Sequence, residues 1–478
     1  MPSIRPLSHH ARRALHNTSF QGLTQIWYLL LRAIYVIFFA RLVGLEAYGQ
    51  YNYAQIWYLI ALSVTGWGMH EWLLTRWQAV DKEQRQALAD TGLALRVLLG
   101  TGGTLLVLCC AVILESDPAL RWLIMIYAQG VVLRGLTAWL HALFTSRERS
   151  ELILYTSMPV SLLEVVLALG LAWAGYSLLV IALAQTLCWW LGLAATWWAY
   201  RQHLGSLRLS WQPAFAREFL AGGALLALAS ALLAWMGPGL LVAVRHYMDD
   251  GPTLGEAALV IQVLLMLGQA LRMVTNATLP FLTRPGEDLT LRQRGFASQT
   301  WHVALYLGGA GYLLGVQVLP SLTIRLLGES FQQAGILLAQ FSWILIPLGL
   351  VQTLRLLLIG RGLYRQFLLA LVLGGAVLGL AVAVLVGREA LSLPSLFTGL
   401  GLAYAASVVV MLRQLATAGI ALSAATIIRG PLVLAAAVAL SHIAQPTVSA
   451  ASAALLGISL LALAALHHWW QESSRGAG

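Results

Sequence analysis

The chain has 478 residues, of which 59% are hydrophobic and only 10% charged, with a mean hydropathy of +0.77 and a formal net charge of +10. Soluble domains carry about 25% charged residues, so this composition excludes a soluble enzyme or binding module. The basic residues are spread through many short loops and not gathered on one face, which excludes a nucleic-acid partner.

Apolar runs long enough to cross a bilayer recur along the whole chain and predict an all-α, polytopic membrane protein of 12–14 transmembrane helices. In chain order they cover about 20–40, 53–75, 91–114, 120–144, 152–174, 177–200, 217–244, 256–282, 296–319, 333–359, 366–387, 394–412, 429–444 and 447–467. The first run has no small-residue cleavage site behind it and reads as an anchor, not a secretory signal. The last pair is short and Ala-rich. The cysteines Cys109, Cys110 and Cys188 all fall inside apolar runs and read as small buried hydrophobes, with no disulfide or metal pattern.

Polar residues inside these runs are the functional signal, because lipid cannot satisfy their hydrogen bonds. On the first helix Gln25, Tyr28, Arg32 and Tyr35 share one face, and on the fourth Tyr127, Arg134, Thr137 and His141 do so. Gln262, Gln269, Arg272 and Asn276 form a third stripe on the eighth. Such stripes face protein or water, and three cationic ones predict a solvated, net positive chamber for an anionic ligand. Arginine's planar fork suits phosphate oxygens in particular. Arg96 and Arg355, each about five residues from a helix end, either join this chamber or snorkel to the interface.

Deep acids are fewer. Glu164 lies near the middle of the fifth helix, on the face of Ser157 and Ser161, and Glu71 lies near the end of the second, after Trp67. Each is either a salt-bridge partner for an arginine or a site for a coupling proton or sodium ion. The sixth helix carries "CWWLGLAATWW", read as interfacial tryptophans. The seventh carries "WMGPGLL", in which Gly237, Pro238 and Gly239 predict a kink and a candidate hinge.

Nineteen of the 29 Lys and Arg residues fall in loops on one side of this scheme and five on the other, so both termini are expected in the cytoplasm of a bacterial-type inner membrane. Helices one and two also echo helices seven and eight. "ARLVGLEAYGQYNYAQI" matches "VRHYMDDGPTLGEAALVIQ", and "LLTR" ending at Arg76 matches "FLTR" ending at Arg284. A duplication follows: a six-helix lobe over 1–205, a second over 206–415, and an extra helix pair with a tail over 416–478. Substrate is expected near the midplane between the halves.

The stretches "FFARLVGLEAYGQYNYA", "VTGWGMHEWLLTR" and "IRLLGESFQQAGILL" resemble the MOP (multidrug/oligosaccharidyl-lipid/polysaccharide) exporter superfamily, most of all its polysaccharide and O-antigen flippases, over about residues 18–415. The resemblance implies a MATE-like, two-lobed bundle working by alternating access. It implies movement of polyprenyl-pyrophosphate-linked saccharide to the outer leaflet, with basic cavity residues at the positions of Arg32, Arg134 and Arg272. The expected partners are a lipid-linked anionic oligosaccharide, membrane lipids, and a polysaccharide polymerase and glycosyltransferases. Arginines outnumber deep acids here, unlike the drug-exporting branch, and the two extra helices resemble the fourteen-span members, including the peptidoglycan-precursor flippases. The alternative is an ion-coupled multidrug or metabolite antiporter with its coupling acid at Glu164 or Glu71. The chain has no G-x-x-x-x-G-K-[ST] loop for ATP, and no loop carries a catalytic carboxylate cluster, so neither a cofactor nor an enzymatic activity is expected.

Overall fold

The computed structural model describes residues 9–77, 80–248, 251–277, 289–420, 422–444 and 450–475, and among them there are helices and no strands. The first helices are α1 (His9–Val43), α2 (Leu45–Thr65), α3 (Met69–Arg76), α4 (Lys82–Leu114), α5 (Pro118–Ala128), α6 (Gly130–Ser146), α7 (Glu151–Trp173) and α8 (Leu178–Leu204). There follow α9 (Pro213–Met236), α10 (Leu240–Tyr247), α11 (Gly251–Ala277), α12 (Leu289–Gln317), α13 (Leu319–Leu327), α14 (Gln332–Phe341) and α15 (Leu345–Gly360). The chain closes with α16 (Tyr364–Gly387), α17 (Leu393–Thr417), α18 (Ala424–Ala444) and α19 (Ala450–Arg475).

Ten helices among the described residues are long and apolar enough to cross a membrane. They become eleven if Ala297–Gln317 and Leu319–Leu327, bent by 59°, are one span. The predicted second span, 53–75, is not among them. It divides where Trp67 and Gly68 take φ of 47° and 60°, left-handed values that end α2 before α3 begins. The last two helices, α18 and α19, are 21 and 26 residues long, and their described side chains include the apolar stretches Thr426–Ser441 and Ser452–Ala465.

The chain forms two compact units, residues 1–43 with 50–235 and residues 44–49 with 236–478. The division falls beside the Gly237–Pro238–Gly239 turn and not in the loop at 205, because α9 is tied into the first unit. Trp67 donates through Nε1 to the Leu220 carbonyl at 2.9 Å, Trp72 and Phe219 pack with centroids 4.1 Å apart, and Arg76 pairs with Glu218 at 3.3 Å. Gly223 lies so close to Trp67 that an added Cβ would sit 1.9 Å from its carbonyl oxygen.

The same neighbours recur in both units. In the first, α4 packs on α6, α6 on α8 and α7 on α8; in the second, α12 packs on α15, α15 on α17 and α16 on α17. The final pair, α18 and α19, packs on α12. Gly309 of α12 faces Leu434 and Leu461, and Gln317 donates to Ser441 at 3.0 Å. Within the second unit the repeat-related glycines Gly49 and Gly255 bring two backbones together: a Cβ on Gly49 would lie 2.6 Å from the Gly255 nitrogen.

Candidate functional site

Six helices of the first unit, α1, α2, α5, α6, α7 and α8, deliver polar side chains to one cluster. Gln185 of α8 joins them: its Oε1 accepts from Tyr127 at 2.5 Å and from Tyr51 at 3.1 Å, and its Nε2 donates to Tyr35 at 3.2 Å. Tyr35 also donates to Tyr51 at 2.8 Å, and Gln55 donates to Tyr51 at 2.6 Å. Hydroxyls from α1, α2 and α5 thus find partners away from water, where an unmade hydrogen bond costs about 1–3 kcal/mol.

One turn beyond Gln185, Trp189 donates through Nε1 to Glu164 Oε1 of α7 at 3.0 Å. The guanidinium carbon of Arg134 lies 5.2 Å from the same indole, close enough for a cation–π contact. Gly130, one turn before Arg134, makes this possible, since a Cβ there would meet Trp189 at 2.5 Å. Arg134 is attracted to Glu164 and lies within electrostatic reach of Tyr58 and Tyr28, and Arg32 reaches Tyr58 from α1. At 1.5 Å per residue, Arg32, Arg134, Glu164 and Trp189 each stand roughly 13 Å or more from either end of their spans. Deep charges of this kind are costly to insert and mark function or tight pairing.

The structure therefore brings Arg134 and Glu164 to one indole, that of Trp189, with Tyr58 packed on the same ring. It places Arg96 elsewhere: this buried side chain donates through Nη1 to the Thr65 carbonyl at 2.9 Å, closing the C-terminal end of α2 where the helix breaks. Arg355 is half-buried on α15 in the second unit. Gly237, Pro238 and Gly239 form the turn between α9 and α10, where Leu240, Leu241 and Val242 each donate three residues back. The side chains of Arg272 and Asn276 on α11 and of Glu71 on α3 lie outside the described residues.

Two further residues belong to this site and escape a reading by hydropathy. Trp189 sits in the tryptophan-rich stretch read as interfacial, yet it is 5% exposed, whereas its neighbour Trp190 is 52% exposed. The signal was Gln185, a polar residue four positions earlier on the same face. Trp67 lies apart from this site and donates through its indole to the Leu220 carbonyl of α9.

The first unit is thus a helical bundle with charged and polar side chains deep within its spans. Among solved structures, the lipid II flippase MurJ in an inward closed conformation is 11% identical, with a TM-score of 0.73 over 96% of this chain and 99% of that one. The MATE multidrug transporter DinF-BH is 14% identical, with a TM-score of 0.63 over 86% and 97%. A MOP superfamily transporter from Pyrococcus furiosus, described by the reverse polarity of its binding pocket, is 14% identical, with a TM-score of 0.57 over 84% and 96%. At these identities the likeness is one of fold. No curated protein matches the chain significantly. The family model described as polysaccharide biosynthesis protein matches residues 14–284, and the chain belongs to that family.

Proposed function

We propose that the protein is a flippase that carries a polyprenyl-pyrophosphate-linked saccharide from the cytoplasmic to the outer leaflet by alternating access, for polysaccharide biosynthesis. Membership of a polysaccharide biosynthesis family and a fold shared with a lipid II flippase support the reading. The observation that carries it is Arg134, mid-span and set against Trp189 in the first unit, with mid-span Arg32 of α1 within electrostatic reach of the adjoining Tyr58. Guanidinium groups in low dielectric attract a phosphate strongly, and their planar fork matches its oxygens. The polyprenyl tail stays in lipid while the headgroup passes the cluster.

The Arg-rich loops lie in the cytoplasm, with both termini. Outward movement of two negative charges is then favoured by an inside-negative potential, at about 2.3 kcal/mol per charge per 100 mV. Arg272, Arg355 and Asn276 are the candidate anion-binding residues of the second unit, and the Gly237–Gly239 turn is the candidate hinge. A second reading, an ion-coupled multidrug or metabolite antiporter, draws on Glu164, whose carboxylate accepts from Trp189 and attracts Arg134.

The test is glycan export in cells carrying Arg32→Gln with Arg134→Gln. Export stops while the variant remains in the membrane; normal export overturns the proposal. Export of a cationic drug that vanishes with Glu164→Gln favours the second reading.

A further inference from the structure

Arg134 and Glu164 carry opposite charges deep within their spans, and charges so placed ordinarily pair with one another. These two attract without touching. The ion pairs among the described residues are Arg76–Glu218 and Arg149–Glu151. What Arg134 and Glu164 both meet is Trp189. Glu164 Oε1 accepts from the indole Nε1 at 3.0 Å, on the edge of the ring. The guanidinium carbon of Arg134 lies over the ring, 5.2 Å from its centre.

The ring is clamped in this place. Tyr58 and Tyr127 pack on it with centroids 5.0 and 5.7 Å away, and Gly130 leaves it room that a Cβ would take. Tyr127 is itself held by Gln185, one turn before Trp189. Packing alone would be met by any ring of this size. The indole adds one N–H, and the carboxylate takes it. Arg134 is left with unused chemistry. Its guanidinium has five N–H donors, and no side chain or carbonyl among the described residues accepts from them. The side chain is half-buried, and its nitrogens are not among the sealed atoms that lack a partner, so a ligand can reach them.

We propose that Trp189 is a positioning residue that holds Glu164 away from Arg134, so that the arginine fork stays open for the phosphate of the cargo. The inference rests on the flippase reading and names the residue that keeps its anion site from closing on itself. A carboxylate in two-point contact would occupy the donors that a phosphate needs. Held off by one indole, the carboxylate still offsets part of the deep positive charge, while the ring face steadies the guanidinium.

The experiment is binding of a short-chain polyprenyl-pyrophosphate saccharide to the purified full chain in Trp189→Phe, with and without Glu164→Gln. Phenylalanine keeps an aromatic face for Arg134 and removes the donor that holds the carboxylate. Trp189→Phe lowers affinity about tenfold, and adding Glu164→Gln restores it to within about threefold of wild type, because an amide forms no ion pair. A packing role gives no such rescue, since Glu164→Gln fills no space. Unchanged affinity in Trp189→Phe, or a loss that Glu164→Gln does not recover, overturns the proposal. Where Trp189→Phe fails to fold, Glu164→Gln alone decides. It raises affinity several-fold by removing a charge that repels phosphate, and the absence of a gain overturns the proposal.

A second arm needs no cargo. The coupling between Arg134→Gln and Glu164→Gln, from a double-mutant cycle on the thermal midpoint, grows about twofold or more when Trp189 is Phe. Equal coupling in both backgrounds overturns the proposal. Grown coupling together with wild-type cargo binding by Arg134→Gln overturns the flippase reading and leaves Trp189 as the spacer.

Discussion

The helix pair α7 and α8 in the first unit and the pair α16 and α17 in the second hold matching places in the duplicated bundle, and each pair packs side by side. Their contents differ. Between α7 and α8, Glu164 meets Trp189, and Gln185 binds tyrosines from three other helices. Between α16 and α17 the contact is backbone against backbone. A Cβ on Gly374 would lie 2.1 Å from Ser407 Oγ and 2.7 Å from the Ala403 carbonyl, and Ser407 returns its own hydroxyl to that carbonyl at 3.0 Å. Tyr364–Gly387 has one charged residue, Arg365, at its start. The two pairs thus share their packing and differ in their chemistry. Small residues give close approach where no polar group is required, and the first copy holds a carboxylate and an amide instead.

This comparison is broken most sharply by charge. Arg134→Gln is expected to reduce glycan export tenfold or more, about 1.4 kcal/mol or above of lost ligand interaction, while Ser407→Ala in the matching pair leaves export within about twofold. Export rates at equal membrane abundance decide it. Equal losses from both changes would dissolve the distinction between the copies.

Packing comes next. Gly374→Val forces a side chain into the α17 backbone and is expected to cost about 1–3 kcal/mol, read as a lower thermal midpoint of the purified protein. Gln185→Leu leaves the hydroxyls of Tyr51 and Tyr127 without their shared acceptor, about 1–3 kcal/mol for each group so stranded. Its effect on the midpoint should match that of Gly374→Val. Their causes differ, because adding Tyr127→Phe to Gln185→Leu recovers part of the loss and no polar change rescues Gly374→Val.

The smallest effect belongs to the exposed pair Arg76–Glu218, whose side chains are 47% and 43% exposed. Glu218→Gln should change the midpoint by no more than about 1 kcal/mol in stability terms, and less at high salt. A larger loss would mean that α3 and α9 depend on charge and not on the Trp67 and Trp72 contacts.

Much of this contrast can be read from residue order alone. Long apolar runs locate the spans because a bilayer imposes a length. The stripes holding Arg32 and Arg134 show which faces turn inward, since no polar group rests against lipid without a partner. The glycine–proline turn at 237–239 declares itself by the missing amide of Pro238. The break after Thr65 does not, because nothing in "VTGWGMHEW" reveals that Trp67 adopts a positive φ, and its reason lies in the distant glycines of α9. Trp189 is hidden by the other tryptophans around it, and only the register of Gln185 separates the inward ring from the outward ones. For Arg96 the sequence leaves chamber and interface open, and its partner, the Thr65 carbonyl, is a helix end created by that same unforeseen break.

The central claim is that the arginines of the first unit hold the phosphate of the cargo. Binding of a short-chain polyprenyl-pyrophosphate saccharide to the purified chain, measured for the wild type and for Arg32→Gln with Arg134→Gln, tests it most directly. The account predicts that affinity falls about a hundredfold in the double variant, two charge-assisted contacts at about 1.5 kcal/mol each, with the thermal midpoint little changed. Equal affinity in a folded double variant would contradict it.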